Sequence, residues 1–292
     1  MMSVTLLNGR ALAQEIKCDL SKKVEKLKEE KGVVPKLVVL LVGDDCASRI
    51  YARNKEKMAL QIGFESVIEE FPNTVTQEEL LARIHYYNHA KDCHAILVQL
   101  PLPEHLDKQK ILQAIDYHKD VDGFHPMNVG NLLLNNPTVF PCTPQGILTL
   151  LDYYNIALTG KTAVVVGRST IVGKPMAQML LQRDATVIMA HSRTENLKAI
   201  TQQADILIVA VGKKHFITPD HVKQGAVVVD VGTNEDENGK LVGDVMPDVA
   251  QIASAMTPVP GGVGPMTIAM LLNQTYQLAL EHISCHQTPK NN

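Results

Sequence analysis

The chain has 292 residues, 45% of them hydrophobic and 20% charged, which at roughly 150 residues per domain favours two packed domains and excludes a mainly disordered or fibrous chain. Its 28 basic and 31 acidic residues leave a net charge of -3 with no long single-sign run, so no nucleic-acid partner held by a basic surface is expected. Strictly apolar stretches such as Leu37 to Val42 are far below the roughly 20 residues a membrane-spanning helix needs, and no membrane partner is expected.

Along the chain, Met1 to Arg10 lacks the basic flank, apolar core and cleavage site of a secretory signal, which predicts a cytoplasmic protein. Helical periodicity follows at Ala11 to Lys31, then an apolar strand at Leu37 to Val42, helices at Arg49 to Ile62 and Gln77 to Asn88, and a strand at Ala95 to Leu100. Between Asp120 and Pro144 the residues Gly123, Pro126, Gly130, Asn135, Asn136, Pro137 and Pro141 break any periodicity, and a domain junction is placed there. Beyond it come a helix at Pro144 to Tyr154, a strand at Ala163 to Val166, a helix at Lys174 to Arg183, and strands at Thr186 to Met189, Ile206 to Val211 and Ala226 to Val231. A long helix at Met266 to Ile283 and a polar tail from His286 to Asn292, expected to fray, complete the chain. Buried apolar strands alternating with helices predict parallel α/β structure. The five cysteines are scattered without a Cys-x-x-Cys pair, and neither a disulfide framework nor a metal site is expected.

The clearest local motif is Ala163-Val-Val-Val-Gly-Arg-Ser-Thr-Ile-Val-Gly-Lys-Pro175, a strand entering a turn and then a helix. Such a turn offers free backbone N–H groups and a helix dipole to a pyrophosphate. Gly167 and Gly173 match the dinucleotide fingerprint only in part, and the same turn would serve a connection that needs glycine for geometry alone. The next strand ends at His191-Ser192-Arg193 without the acidic residue of an NAD site. Ser192 and Arg193, with Arg168 in the turn, suit a 2′-phosphate and predict a preference for NADP.

In the first half, Tyr51, Lys55, Met58 and Ile62 fall on one helical face, so Lys55 interrupts an otherwise apolar or aromatic stripe. A lysine drawn into dry surroundings favours its neutral amine and can transfer protons near neutral pH. Its stem could equally cover apolar surface with the ammonium in water. Gln99 and Asp122 each stand just past a strand-like run, where open α/β sheets collect ligands. Gln99 offers donor and acceptor, and the Asp122 carboxylate can accept two parallel N–H bonds from a guanidine-like heterocycle. A strand-end amide and an Asp-Gly turn would explain the same two residues. The rigid Thr257 to Thr267 segment could bring backbone close to a flat ligand, or act as a hinge.

Taken together, Tyr51-Ala-Arg-Asn-Lys55, Val98-Gln-Leu-Pro-Leu-Pro103, Asp120-Val-Asp-Gly-Phe124, Pro141-Cys-Thr-Pro144, Gly167-Arg-Ser169 with Gly173-Lys-Pro175, and Thr257-Pro-Val-Pro-Gly-Gly-Val-Gly-Pro-Met-Thr267 resemble the methylenetetrahydrofolate dehydrogenase/methenyltetrahydrofolate cyclohydrolase family in order and spacing. The resemblance spans nearly the whole chain and is to the compact bifunctional bacterial type. It implies an α/β fold of two domains: an N-terminal folate-binding catalytic domain, 1–121 completed by 266–292, and a Rossmann-like NADP-binding domain, 122–265, with the active-site cleft between them. It implies Lys55 as the main catalytic residue, assisted by Tyr51 and held by Gln99, with Asp122 anchoring the pterin ring. Val98, Leu100, Pro260, Gly261, Gly262, Val263, Gly264 and Thr267 would line the folate site; Gly167, Arg168, Ser169, Ser192, Arg193 and Thr233 would contact NADP. Thr233 stands where the family often has Ile, which leaves that contact open. The implied protein is a homodimer acting on a small-molecule folate in one-carbon metabolism and purine biosynthesis, as an oxidoreductase and a hydrolase. A dehydrogenase without hydrolase activity, an NADP-dependent reductase of another substrate, and a non-catalytic dinucleotide sensor remain as alternatives.

Overall fold

The computed structural model describes residues 4–287, with side chains as far as Ser284. Strand β1 (Thr5–Leu6) is followed by α1 (Gly9–Lys31), β2 (Lys36–Val42), α2 (Cys46–Gln61), β3 (Glu65–Phe71), α3 (Gln77–His89), β4 (Ala95–Val98), α4 (Lys108–Ala114), α5 (Pro126–Leu133) and α6 (Cys142–Tyr153). Then come β5 (Thr162–Val166), α7 (Gly173–Leu181), β6 (Thr186–Ala190), α8 (Leu197–Thr201), β7 (Ile206–Val209), β8 (Val227–Asp230), the short pair β9 (Asn234–Glu235) and β10 (Leu241–Val242), β11 (Ala255–Met256) and α9 (Val263–Gln287). The expected frayed tail lies in part outside the described residues, since α9 runs on to Gln287.

The chain divides into two compact units, one of Met1–Gln14, Leu132–Asn136 and Thr143–Met270, the other of Glu15–Asn131, Pro137–Cys142 and Leu271–Asn292. The second unit holds a parallel three-stranded sheet in the order β3-β2-β4. Its central strand is buried at every position after Lys36, which is why it reads as an unbroken apolar run. Leu40, Leu80, Ile84, Ile96 and Ile111 are fully buried in the core beside it, each worth about 1.5–3 kcal/mol of apolar burial. The first unit holds a six-stranded sheet in the order β1-β11-β8-β7-β5-β6, parallel throughout.

Both sheets grow in two directions from their first long strand. In the smaller sheet β3 adds to one side of β2 and β4 to the other; in the larger, β6 adds to one side of β5 and β7 to the other. Each therefore has a switch point where crossovers leave on opposite faces and the carboxyl ends of the strands open a crevice. Lys55 follows β2 and Gln99 ends β4; Gly167 follows β5.

Several elements differ from the sequence expectation. Strand β3 was not foreseen because Glu65, Glu69 and Glu70 interrupt its apolar residues, as suits a half-buried edge strand. Helix α5 forms inside the segment expected to hold the domain junction, where no periodicity showed it, with Pro126 at its first position where no N–H is needed. Helix α9 begins at Val263 rather than Met266, so Val263 and Gly264 belong to its first turn.

Candidate active site

Helix α2 starts at the Asp45 cap, whose carboxylate accepts from the Ser48 N–H at 2.7 Å, one of the orphan donors of a helix N-terminus. The buried face is Ser48, Ala52, Lys55 and Ala59, a stripe of small residues with one lysine. That corrects the expected stripe of Tyr51, Lys55, Met58 and Ile62: Lys55 and Ile62 are buried, Met58 is partly exposed and Tyr51 is 38% exposed. Small side chains let the helix lie close to the sheet, and this closeness takes Lys55, 8% exposed, out of water.

The Lys55 Nζ donates to Gln99 Oε1 at 3.0 Å. The Gln99 amide is itself oriented, because its Nε2 donates to the Leu100 carbonyl at 2.9 Å and its backbone N–H donates to Leu40 O at 2.9 Å. With the NH2 end used on Leu100, only the oxygen can face Lys55. Burial pushes the Lys55 ammonium below the usual lysine value, against the pull of Asp122 and then Cys142. Asp122 is raised to about 6, chiefly by burial, with Lys55 and the Cys142 thiol drawing it down and Asp120 pushing it up. A lysine inclined to be neutral beside a carboxylate inclined to be protonated is an arrangement able to move protons near neutral pH. The Tyr51 ring faces Lys55, its centroid 5.6 Å from Nζ.

Two members of this cluster had not been singled out. Cys142 is 4% exposed and its Sγ donates to the Val121 carbonyl at 3.4 Å; burial, with Asp122, pushes its thiol far above the usual value. Asp120 is 2% exposed and accepts from the His125 N–H at 2.7 Å and Asn128 Nδ2 at 2.9 Å. It fixes the turn that carries Asp122, which runs beside β4 through a parallel bridge from Ile96 to Asp120.

At the switch point of the larger sheet, Gly167 has φ +133°, and a Cβ there would stand 2.3 Å from the Ala210 carbonyl. Only glycine lets backbone of the β5 and β7 ends come so close. A Cβ on Gly173 would meet the Gly167 carbonyl at the same 2.3 Å, so the turn between them is tightly closed. Three of its N–H groups are satisfied within the turn: Ser169 Oγ accepts from Val172 at 3.1 Å and Gly173 at 3.2 Å, and Ser169 O accepts from Lys174 at 3.0 Å. The Ser169 hydroxyl keeps one proton to donate. Because β5 and β6 are paired to Val166↔Ala190, the turns 167–169 and 191–193 emerge side by side. Arg168, Ser192 and Arg193 are all exposed there, and Thr233 is exposed beyond the end of β8. A dinucleotide fits this edge: close backbone, one free hydroxyl proton and two guanidinium groups.

The segment from Thr257 to Thr267 folds as a turn into α9. The Gly261 carbonyl accepts from the Arg10 N–H at 2.8 Å, and the hydroxyls of Thr267 and Thr143 meet at 3.0 Å. Pro260 is exposed and Gly262 buried. Val98 and Leu100 flank Gln99 at the end of β4, the first buried and the second partly so. Among the described residues no group of three His, Cys, Asp or Glu is placed to hold a metal ion, and no helix is long and apolar enough to cross a membrane.

Residues 7–122 match the model of the tetrahydrofolate dehydrogenase/cyclohydrolase catalytic domain, and residues 141–283 match that of the NAD(P)-binding domain of the same enzymes. The chain belongs to the tetrahydrofolate dehydrogenase/cyclohydrolase family. It is 58% identical over 280 residues to the bifunctional protein FolD of Streptococcus agalactiae, covering 96% of this chain and 99% of that protein. The solved bifunctional FolD enzyme of Campylobacter jejuni superposes with a TM-score of 0.94 at 49% identity, covering 96% of this chain and 99% of the other. The Trypanosoma brucei enzyme, solved with NADP cofactor and an inhibitor, gives a TM-score of 0.93 at 39% identity, covering 97% and 99%. In terms of the family, Tyr51, Lys55, Gln99 and Asp122 fall in the catalytic-domain match, with Asp122 its last residue. Cys142, the Gly167 turn, Thr233 and the Thr257 to Thr267 segment fall in the NAD(P)-binding match.

Proposed function

We propose that this chain oxidises 5,10-methylenetetrahydrofolate to the 5,10-methenyl form with NADP and hydrolyses that product to 10-formyltetrahydrofolate, Lys55 being the residue that distinguishes the two steps. The observation that carries the reading is the buried Lys55 amine, fixed at 3.0 Å by Gln99 Oε1 and set beside Asp122. Bound NADP supplies the hydride acceptor. Loss of hydride from the methylene carbon leaves a cation delocalised over the two flanking nitrogens, so the oxidation asks no proton transfer of the protein. Orientation governs it, with Asp122 accepting paired N–H bonds from the pterin.

Hydrolysis makes different demands. Water adds to the methenyl carbon and sheds a proton, which the neutral Lys55 amine takes at Nζ. As the carbon–nitrogen bond on the ring side breaks, the Lys55 ammonium returns that proton to the departing ring nitrogen, and the hydroxyl proton of the intermediate leaves to solvent as the formyl group forms. Desolvation lowers the affinity of Lys55 for the proton and makes the exchange feasible. Gln99 aims the amine through its single acceptor oxygen, and Tyr51 covers it. Val98 and Leu100, on either side of Gln99, would border the folate in this reading. On the cofactor side, Gly167, Ser169 and Thr233 would border NADP and Arg168, Ser192 and Arg193 would hold its 2′-phosphate.

The same reading makes the enzyme a cytoplasmic homodimer that supplies formyl groups to purine biosynthesis, on the support of family similarity. A spectrophotometric assay of the purified protein with methylenetetrahydrofolate, comparing NADP with NAD, tests the activity. NADP-dependent turnover without build-up of the methenyl form is expected. Build-up would indicate a dehydrogenase lacking the second activity, and no turnover in folded protein would overturn the assignment in favour of a sensor.

A further inference from the structure

Behind the exposed edge of the larger sheet lie two buried aspartates that no cofactor contact explains. Asp244 is 0% exposed and its carboxylate accepts four hydrogen bonds. Oδ2 takes the N–H groups of Val211 at 2.7 Å and Gly212 at 2.9 Å; Oδ1 takes the N–H of Lys213 at 2.7 Å and Asn234 Nδ2 at 2.9 Å. Asp230, at the end of β8 and 2% exposed, accepts from the N–H groups of Gly232, Asp244 and Val245, each at 2.9 Å. Its own N–H donates to Thr257 Oγ1 at 2.8 Å. The packing leaves no slack: a Cβ on Gly232 would stand 2.3 Å from Asp244 Oδ1, and one on Gly243 would stand 1.8 Å from Asp230 Oδ2.

The groups gathered by Asp244 are three consecutive residues, Val211 to Lys213, one residue beyond the end of β7, and the side chain of Asn234, while Gly232 is held by Asp230. Thr233 lies between Gly232 and Asn234, so the exposed residue expected to meet the cofactor is pinned on both sides. Loops at the carboxyl ends of strands beside a switch point are where a doubly wound sheet meets a dinucleotide. Four donors converging on one side chain require an acceptor with no proton of its own, since two carboxylate oxygens can each accept two bonds. An amide would turn an NH2 group against N–H donors. We propose that Asp244 is a positioning residue for NADP: without touching the dinucleotide, it locks the β7 and β8 loops into the one geometry that receives it. The inference rests on the reading that this edge binds NADP.

The test uses the full enzyme and the Asp244→Asn variant, with NADPH binding measured directly by fluorescence titration alongside both reactions. The expected result is an NADPH dissociation constant raised about ten-fold or more, the KM for NADP raised in proportion, and hydrolysis of added methenyltetrahydrofolate retained, because that reaction consumes no dinucleotide. A merely structural role would lower hydrolysis and binding together. Should Asp244→Asn fail to fold, Asn234→Ala, which removes one donor and leaves the carboxylate, is expected to weaken NADPH binding by roughly three-fold with hydrolysis retained. Unchanged NADPH affinity in whichever variant is folded would overturn the proposal. Binding by Arg168→Ala separates the two levels: if it too is unchanged, the reading of the edge fails; if it alone is weakened, only the role of Asp244 fails.

Discussion

The two sheets place the residues proposed to meet ligands at equivalent points of their topology but build them from opposite materials. At the switch point of the smaller sheet the working groups are side chains removed from water: the ionisable Lys55, 8% exposed, and Asp122, with its pKa near 6, and the Gln99 amide, 9% exposed. At that of the larger sheet they are backbone and exposed cations, with buried carboxylates kept behind them to shape loops. The difference teaches which half has to move protons. Desolvation changes what a side chain does and suits chemistry, whereas close backbone and solvated guanidinium groups change only what can bind.

Substitutions can break this division on one side at a time. Replacing Asp122 with Ala is expected to cut kcat/KM of both reactions about 100- to 1,000-fold, the loss of paired charged hydrogen bonds to the substrate, while direct NADPH titration stays as in the parent enzyme. A variant with normal KM for folate would detach Asp122 from the pterin. On the other side, Arg168→Ala combined with Arg193→Ala is expected to lower kcat/KM with NADP roughly 100-fold, leaving NAD turnover and methenyl hydrolysis alone. Unchanged preference between NADP and NAD would place the 2′-phosphate elsewhere.

Acid sharpens the comparison further. The Asp122 carboxyl loses its charge as pH falls through about 6, and Lys55 gains a proton in the same direction, so hydrolysis should drop by about ten-fold per unit below that point. Stability responds with the opposite sign. The folded pKa lies above the ordinary carboxylate value of 3.8, so ionised Asp122 weakens the fold at neutral pH, and that penalty is relieved as pH falls from about 6 toward the ordinary value. Asp122→Asn should therefore raise stability at pH 7 by about 1–3 kcal/mol in denaturant unfolding, even as activity is lost. A less stable Asn variant would show that the carboxylate is held by favourable bonds rather than under burial strain. The smallest effect is expected at Ser169, where Ser169→Ala removes the acceptor for two N–H groups at the start of α7 and should cost about 1 kcal/mol.

How far this was legible in the sequence varies with the physical cause. Strands β2, β4, β5, β7 and β8 announced themselves because both faces are covered and their interior positions are apolar. Strand β3 did not, since an edge strand tolerates glutamates, and the two-residue strands β1 and β11 are too short to carry any pattern. At the site, Lys55 stood out as a charge on a helical stripe, although the true stripe ran through small residues that hydrophobic patterning underrates. Cys142 was visible only as part of a motif, because its nearness to Asp122 and Lys55 is a product of the fold. Asp230 and Asp244 gave no signal of their own: carboxylates satisfied by backbone donors look like surface acids in a sequence, and the only trace is the close-packed glycine near each.

The central claim is that oxidation needs orientation while hydrolysis needs the Lys55 proton exchange. Its most direct test is a progress curve for Lys55→Met, mixed with methylenetetrahydrofolate and NADP and followed at once for NADPH and for the methenyl form. The account predicts continued NADPH formation with the methenyl form accumulating in step, hydrolysis being slowed about a thousand-fold. A curve like that of the parent enzyme, with NADPH formed and no methenyl form detected, would contradict it.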